Sequence, residues 1–141
     1  MKEIKTALAA LVTMAAVGVA HASNWVKTDI TDDYGLVVSI DMESLRFGSD
    51  GMVQAWFKED YSQPKYIDGT AYVSKKFIER YFCKTNLLVL GPQYAYDSTG
   101  YTVARDETYD PPKEPVPDSL AEARMKLTCQ IAITKKAQAR N

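Results

Sequence analysis

The chain has 141 residues, 46% hydrophobic and 25% charged, with a formal net charge of −1. That length is within the usual range for one domain. The near-neutral charge argues against a basic surface for nucleic acid or anionic lipid.

Residues 1–22 read as a cleaved signal peptide. Lys2 and Lys5 form the positive start, Ala7 to Ala20 is a small and apolar run, and Ala20-His21-Ala22 is a small-x-small cleavage pattern. The run is shorter than the roughly 20 residues of a permanent span. Cleavage leaves residues 23–141 as a single domain and moves the formal charge to −2, since Lys2, Glu3 and Lys5 depart. Ser23 follows the cut, where lipid attachment requires cysteine. No later stretch is apolar enough to span, so the expectation is an exported protein, periplasmic or at the surface, without lipid anchor or integral segment.

Along the mature chain, Asn24 to Thr28 opens as a short strand around Trp25. Asp32-Asp33-Tyr34-Gly35 is turn chemistry. Leu36 to Phe47 is a strand whose phase slips near Glu43-Ser44, as at a bulge or the strand's end. Gly48-Ser49-Asp50-Gly51 predicts a hairpin into Met52 to Tyr61, with Val53, Ala55 and Phe57 on one face and Gln54, Trp56 and Lys58 on the other. Pro64 to Gly69 reads as a loop. Thr70 to Cys83 is rich in aromatic and β-branched residues, which favours strand over the helix that the spacing of Phe77, Arg80 and Tyr81 also permits.

Thr85 to Leu90 is an apolar strand stopped by Gly91-Pro92. Gln93 to Asp97 and Tyr101 to Arg105 flank a turn at Asp97-Ser98-Thr99-Gly100. The prolines at 111, 112, 115 and 117 mark Tyr109 to Pro117 as an ordered connector. Ser119 with Glu122 is a capping box opening the one clear helix, with Leu120, Ala123, Leu127 and Ile131 on one face and a frayed tail from Lys135 to Asn141. Strands followed by one helix define an α+β domain: an antiparallel sheet of about five to six strands with a C-terminal helix packed on one face.

His21 is the only histidine and departs with the signal. Triads and zinc sites built on histidine are therefore excluded. No nucleotide-binding glycine loop is present. No cofactor, metal or catalytic residue is assigned, and the chain is read as a non-enzyme. Cys83 and Cys129 are expected to pair, because an even cysteine count in an exported chain implies a disulfide. Ser62-Gln63-Pro64-Lys65 fits Ser-x-x-Lys but lacks the helix start and companion motifs of a catalytic serine. Asp29, Asp32 and Asp33 do not match a calcium loop, and a solvated turn is the preferred reading.

Nine tyrosines and two tryptophans are many for this length. Tyrosine offers rigid apolar area with a polar tip, which suits an interface, though it also favours sheets. Trp56, Tyr61, Tyr72, Lys75, Lys76, Arg80, Tyr94 and Tyr96 are the candidate protein-binding surface. Lys75, Lys76, Arg80 and Lys84 would draw an acidic partner or simply form a solvated face.

Several short pieces, in order, resemble the surface-adhesin protein E family of Gram-negative bacteria. They are Trp25, Ile40-Asp41 with Ser44-Leu45, Val53-Gln54-Ala55-Trp56, Asp60-Tyr61, Ser74-Lys75-Lys76, Cys83, Tyr94, Pro117-Asp118-Ser119 and Cys129. The resemblance implies an antiparallel sheet with a C-terminal helix in a cell-envelope protein. It also implies a protein partner, a host matrix protein such as vitronectin or laminin. An envelope partner to a periplasmic accessory protein is the alternative, and edge pairing makes a homodimer possible. The family's named member is lipid-anchored, and Ser23 departs from that pattern.

Overall fold

A computed structural model describes residues 22–140. Apart from Ala22, the expected signal peptide lies outside the described residues. One antiparallel sheet carries a single C-terminal helix, as the sequence predicts. The strands are β1 (Trp25–Lys27), β2 (Val37–Asp41), β3 (Arg46–Phe47), β4 (Met52–Ile67), β5 (Thr70–Phe82), β6 (Leu87–Tyr96) and β7 (Thr102–Asp106); the helix is α1 (Leu120–Gln138). The sheet runs β1-β2-β4-β5-β6-β7, with the short β3 pairing β4 beside β2.

Strand periodicity decides which residues meet the helix. Val53, Ala55 and Phe57 of β4 are fully buried with Phe77 and Tyr81 of β5, Val38 and Ile40 of β2 and Leu88 of β6. Met125 of α1 packs on this cluster. Phe57 stacks on Phe77 at 6.0 Å and meets Tyr81 edge-on at 6.3 Å. Each such side chain contributes roughly 1.5–3 kcal/mol by leaving water.

Several boundaries differ from the sequence reading. The phase slip near Glu43 is a one-turn 3₁₀ helix, Met42–Ser44, capped by Asp41. The segment from Pro64 is not a loop. β4 continues to Ile67, and Lys65, Tyr66 and Ile67 pair with Tyr72, Ala71 and Thr70. The turn is only Asp68-Gly69, where both residues take positive φ. Pro64 is tolerated because it falls in the register irregularity between Asp60 and Lys65, where no ladder bond requires its missing N–H.

Gly91-Pro92 does not stop β6 either. The two residues sit in a bulge where pairing to β5 jumps from Phe77↔Gln93 to Glu79↔Leu90. A Cβ on Gly91 would lie 2.3 Å from the Ile78 Cγ2 and 2.5 Å from the Tyr109 ring, so glycine admits both neighbours. The proline connector is ordered: Leu88 and Lys113 exchange backbone hydrogen bonds, and Asp110 N–H donates to the Leu90 carbonyl.

The helix starts at Ser119, as the capping box predicts, with the Ser119 hydroxyl accepting from Glu122 N–H and Glu122 accepting from Asp118 N–H. It runs through Gln138 rather than fraying at Lys135. Its fully buried residues are Arg124, Met125 and Thr128; of the predicted row, Leu120 and Ile131 pack part-buried against the core. The Cys83–Cys129 disulfide forms, joining the end of β5 to mid-helix across 46 positions. The chain-entropy model assigns a loop of that length about 4 kcal/mol.

A covered ionic cluster and an open aromatic face

The sheet has two faces of different chemistry. Under the helix, alternation puts Glu59 in phase with Phe57, and Glu79 between Phe77 and Tyr81. Both carboxylates are buried, and Arg124 comes down from α1 between them. Its Nε and Nη2 donate to Glu79 at 2.8 and 2.9 Å, and Nη1 donates to Glu59 at 2.9 Å. The Tyr61 hydroxyl donates to Glu59 at 2.6 Å, and the Tyr81 hydroxyl donates to Glu79. Arg124 also lies over the Phe77 ring at 4.8 Å.

Burial alone would lower the Arg124 pKa. The hydrogen bonds and charge of Glu79, with Tyr81 and Glu59 adding, outweigh burial and raise it. Burial first, then the bond to Glu59, pushes the Tyr61 phenol up. Burial and the charge of Glu79 push the Tyr81 phenol up as well. Each buried side-chain nitrogen and oxygen among the described residues has a partner. This cluster fixes the helix on the sheet. Its two carboxylates are each met by the Arg124 guanidinium and by one tyrosine hydroxyl.

Among the described residues, the other face carries no helix. Directly opposed residues in antiparallel strands share a face, so the register identifies its members. They include Trp25 on β1, Gln54, Trp56 and Lys58 on β4, Lys76, Ile78 and Arg80 on β5, Tyr94 and Tyr96 on β6, and Arg105 on β7. Trp56 and Tyr94 approach at 6.2 Å between ring centres. The Lys76 ammonium lies 5.1 Å from the Tyr96 ring and 5.8 Å from the Trp25 ring. Arg80 donates from Nε to Gln54 at 2.8 Å and stacks on Tyr109 at 4.1 Å. Trp25, Trp56, Lys76, Arg80, Tyr94 and Tyr96 are half-exposed and Arg105 is exposed, whereas Ile78 on the same face is buried.

Of the eight candidates from sequence, Trp56, Lys76, Arg80, Tyr94 and Tyr96 come together on this open face. The other three do not. Lys75 sits opposite Glu59 on the helix side, with its ammonium 5.1 Å from the Phe77 ring. Tyr61 and Tyr72 meet edge-on at 5.6 Å at the root of the β4–β5 arm, beside Glu59. Trp25, Arg105 and Tyr109 join the face and were not among the candidate surface residues read from sequence; Ile78 shares the face but is buried. They reach it through pairings between distant segments, which no local pattern displays.

The remaining motifs have structural duties. The Asp32 carboxylate accepts from Tyr34 and Leu36 N–H at 2.9 and 2.8 Å, holding the turn. No group of three or more metal-ligating side chains gathers among the described residues. The Ser62 hydroxyl donates to the Tyr34 carbonyl, tying the Ser-x-x-Lys segment to that turn. No described helix is long and apolar enough to cross a membrane.

A two-layer domain with one covered sheet face and one open aromatic face has the form of an interaction module. The family model for surface-adhesin protein E matches residues 25–130 of this chain. The chain therefore belongs to the surface-adhesin protein E family. Neither the curated proteins nor the solved structures contain a significant match.

Proposed function

We propose that this protein is exported to the cell envelope and works there as an adhesin-like binding protein, without catalysis, contacting a host matrix or other extracellular protein through the open sheet face. The carrying observation is that face itself: Trp25, Trp56, Tyr94 and Tyr96 interleaved with Lys76 and Arg80, with no helix over them among the described residues. Aromatic and arginine side chains in partly desolvated settings supply most of the energy at protein interfaces. Family membership supports the adhesin-like role, and the disulfide suits an oxidising compartment. Cleavage at Ala22 supports export, from the charged start, the apolar run and the small-x-small site together.

The test is binding of purified, oxidised residues 23–141 to immobilised extracellular-matrix proteins, vitronectin and laminin among them. Saturable binding is expected; binding no higher than to a blocked surface overturns the reading. Ser23 at the position of a lipid-anchor cysteine favours a second reading, a periplasmic accessory protein with an envelope partner. Protease treatment of intact cells separates the two. Digestion without opening the outer membrane supports the adhesin, and protection supports the accessory protein.

A further inference from the structure

The pairing register places six residues in one row across the open face: Lys27, Ser39, Lys58, Lys76, Tyr94 and Arg105, each directly opposite the next. Four of the six are cations, from segments far apart in sequence. At a strand spacing of about 4.8 Å the row is about 24 Å long. Lys58 and Lys76 stand side by side, and like charges directly opposed in a sheet are destabilising. Only Lys58 has a carboxylate on it, Asp60 at 3.0 Å. Among the described residues, Lys27, Lys76 and Arg105 have no acidic partner within salt-bridge distance. A protein of net charge −1 has thus gathered a cationic line on its uncovered face, against the local electrostatic preference.

Aromatic groups flank the line on both sides. Trp25 and Trp56 lie one step along the strands in one direction, with Ile78 buried beside them; Tyr96 lies one step in the other, in a row with Asp60 and Ser74. We infer that this ladder receives an acidic, extended polypeptide segment laid across the strands, its carboxylates on the cations and its apolar side chains on the flanking rings. A chain rising about 3.3 Å per residue needs about seven residues to follow it. The inference rests on reading the open face as the binding face, and it adds the chemistry of the partner.

The experiment is fluorescence anisotropy of the oxidised protein with a labelled oligoglutamate peptide of about eight residues. An oligolysine peptide and a heparin-type sulfated oligosaccharide serve as comparison probes. The expected result is oligoglutamate binding that weakens with added salt, as for exposed charges, and no oligolysine binding. Lys58→Gln with Lys76→Gln should weaken it about five- to thirty-fold. The same double variant should melt close to wild type, because relief of the opposed like-charge pair offsets loss of the exposed Lys58–Asp60 pair and the Lys76 ring contacts. Lys135→Gln with Lys136→Gln, on the far end of α1, should bind as wild type does. Absence of oligoglutamate binding, binding of the sulfated oligosaccharide alone, or equal loss in both double variants overturns the inference. If matrix-protein binding survives Lys58→Gln with Lys76→Gln, the ladder fails while the binding reading stands. If oligoglutamate binds at the ladder but no matrix protein binds, the reverse holds.

Discussion

Replacing Arg124 with Met tests the covered side of the sheet. Arg124 makes three hydrogen bonds, at 2.8, 2.9 and 2.9 Å, to two carboxylates that are otherwise almost sealed from water. Methionine fills similar space without charge. It leaves Glu59 and Glu79 buried and mutually repulsive, each with only a tyrosine hydroxyl donating from a side chain. Removing one partner of a buried ion pair costs about 3–5 kcal/mol, and two orphaned carboxylates place this variant at the upper end. With a urea slope of about 1.5–2 kcal/mol per molar, the midpoint should fall by roughly 2–3 M. The deficit should also narrow as pH falls. An orphaned buried carboxyl takes up a proton in the folded state before it does in the unfolded chain, so acid favours the folded variant relative to its value at neutral pH. Replacing Glu59 and Glu79 by Leu alongside Arg124→Met should recover part of the loss. Equilibrium urea unfolding followed by circular dichroism between pH 5 and 8 measures all three effects. A loss under about 1 kcal/mol, or one that does not change with pH, refutes the reasoning.

Three further outcomes follow from the packing. Cys129→Ser should cost about 2–5 kcal/mol in chemical unfolding, and a reducing agent should bring wild type down to the variant; equal midpoints for oxidised wild type and variant would show that the bond contributes nothing. Gly91→Ala should cost about 1–3 kcal/mol, because its methyl group overlaps Ile78 and Tyr109, and an unchanged melting temperature would mean that the connector does not pack there. Tyr61 and Tyr81 have folded-state pKa values raised above the ordinary 10.0, so their stabilisation is complete below pH 10 and lost as pH rises beyond it. Their phenolate absorbance should therefore appear only together with alkaline unfolding; ionisation of all nine tyrosines in a folded protein would contradict the cluster.

Local chemistry made much of the fold legible. Alternation at Val53, Ala55 and Phe57 marked the buried face of β4, Gly48 to Gly51 marked a hairpin, and Ser119 with Glu122 marked the helix start. The same alternation carried an unused signal, since Glu59 and Glu79 fall in phase with core residues, where a carboxylate requires a partner. Identifying that partner as Arg124 needs the helix rotation. Helical rotation follows from the match of charge and volume on the sheet below, so the leucine row caught Leu120 and Ile131 at the core but missed the buried centre of the stripe at Arg124, Met125 and Thr128. Pro64 and Pro92 misled for a related reason: both lie at register breaks, and a register break exists only between two strands. The open face was half-visible. Trp56, Lys76, Tyr94 and Tyr96 stood out by type, whereas the line from Lys27 to Arg105 exists only once six strands are aligned.

The most direct test of the account compares the two faces in one binding assay. Oxidised wild type, Trp56→Ala with Tyr94→Ala on the open face, and Lys135→Ala with Lys136→Ala on the exposed end of the helix are each confirmed folded by melting and titrated onto the immobilised matrix protein that wild type binds best. The account predicts a loss of at least tenfold in affinity for the open-face variant and wild-type affinity for the helix variant. Wild-type affinity in the folded open-face variant, or loss in the helix variant alone, would contradict it.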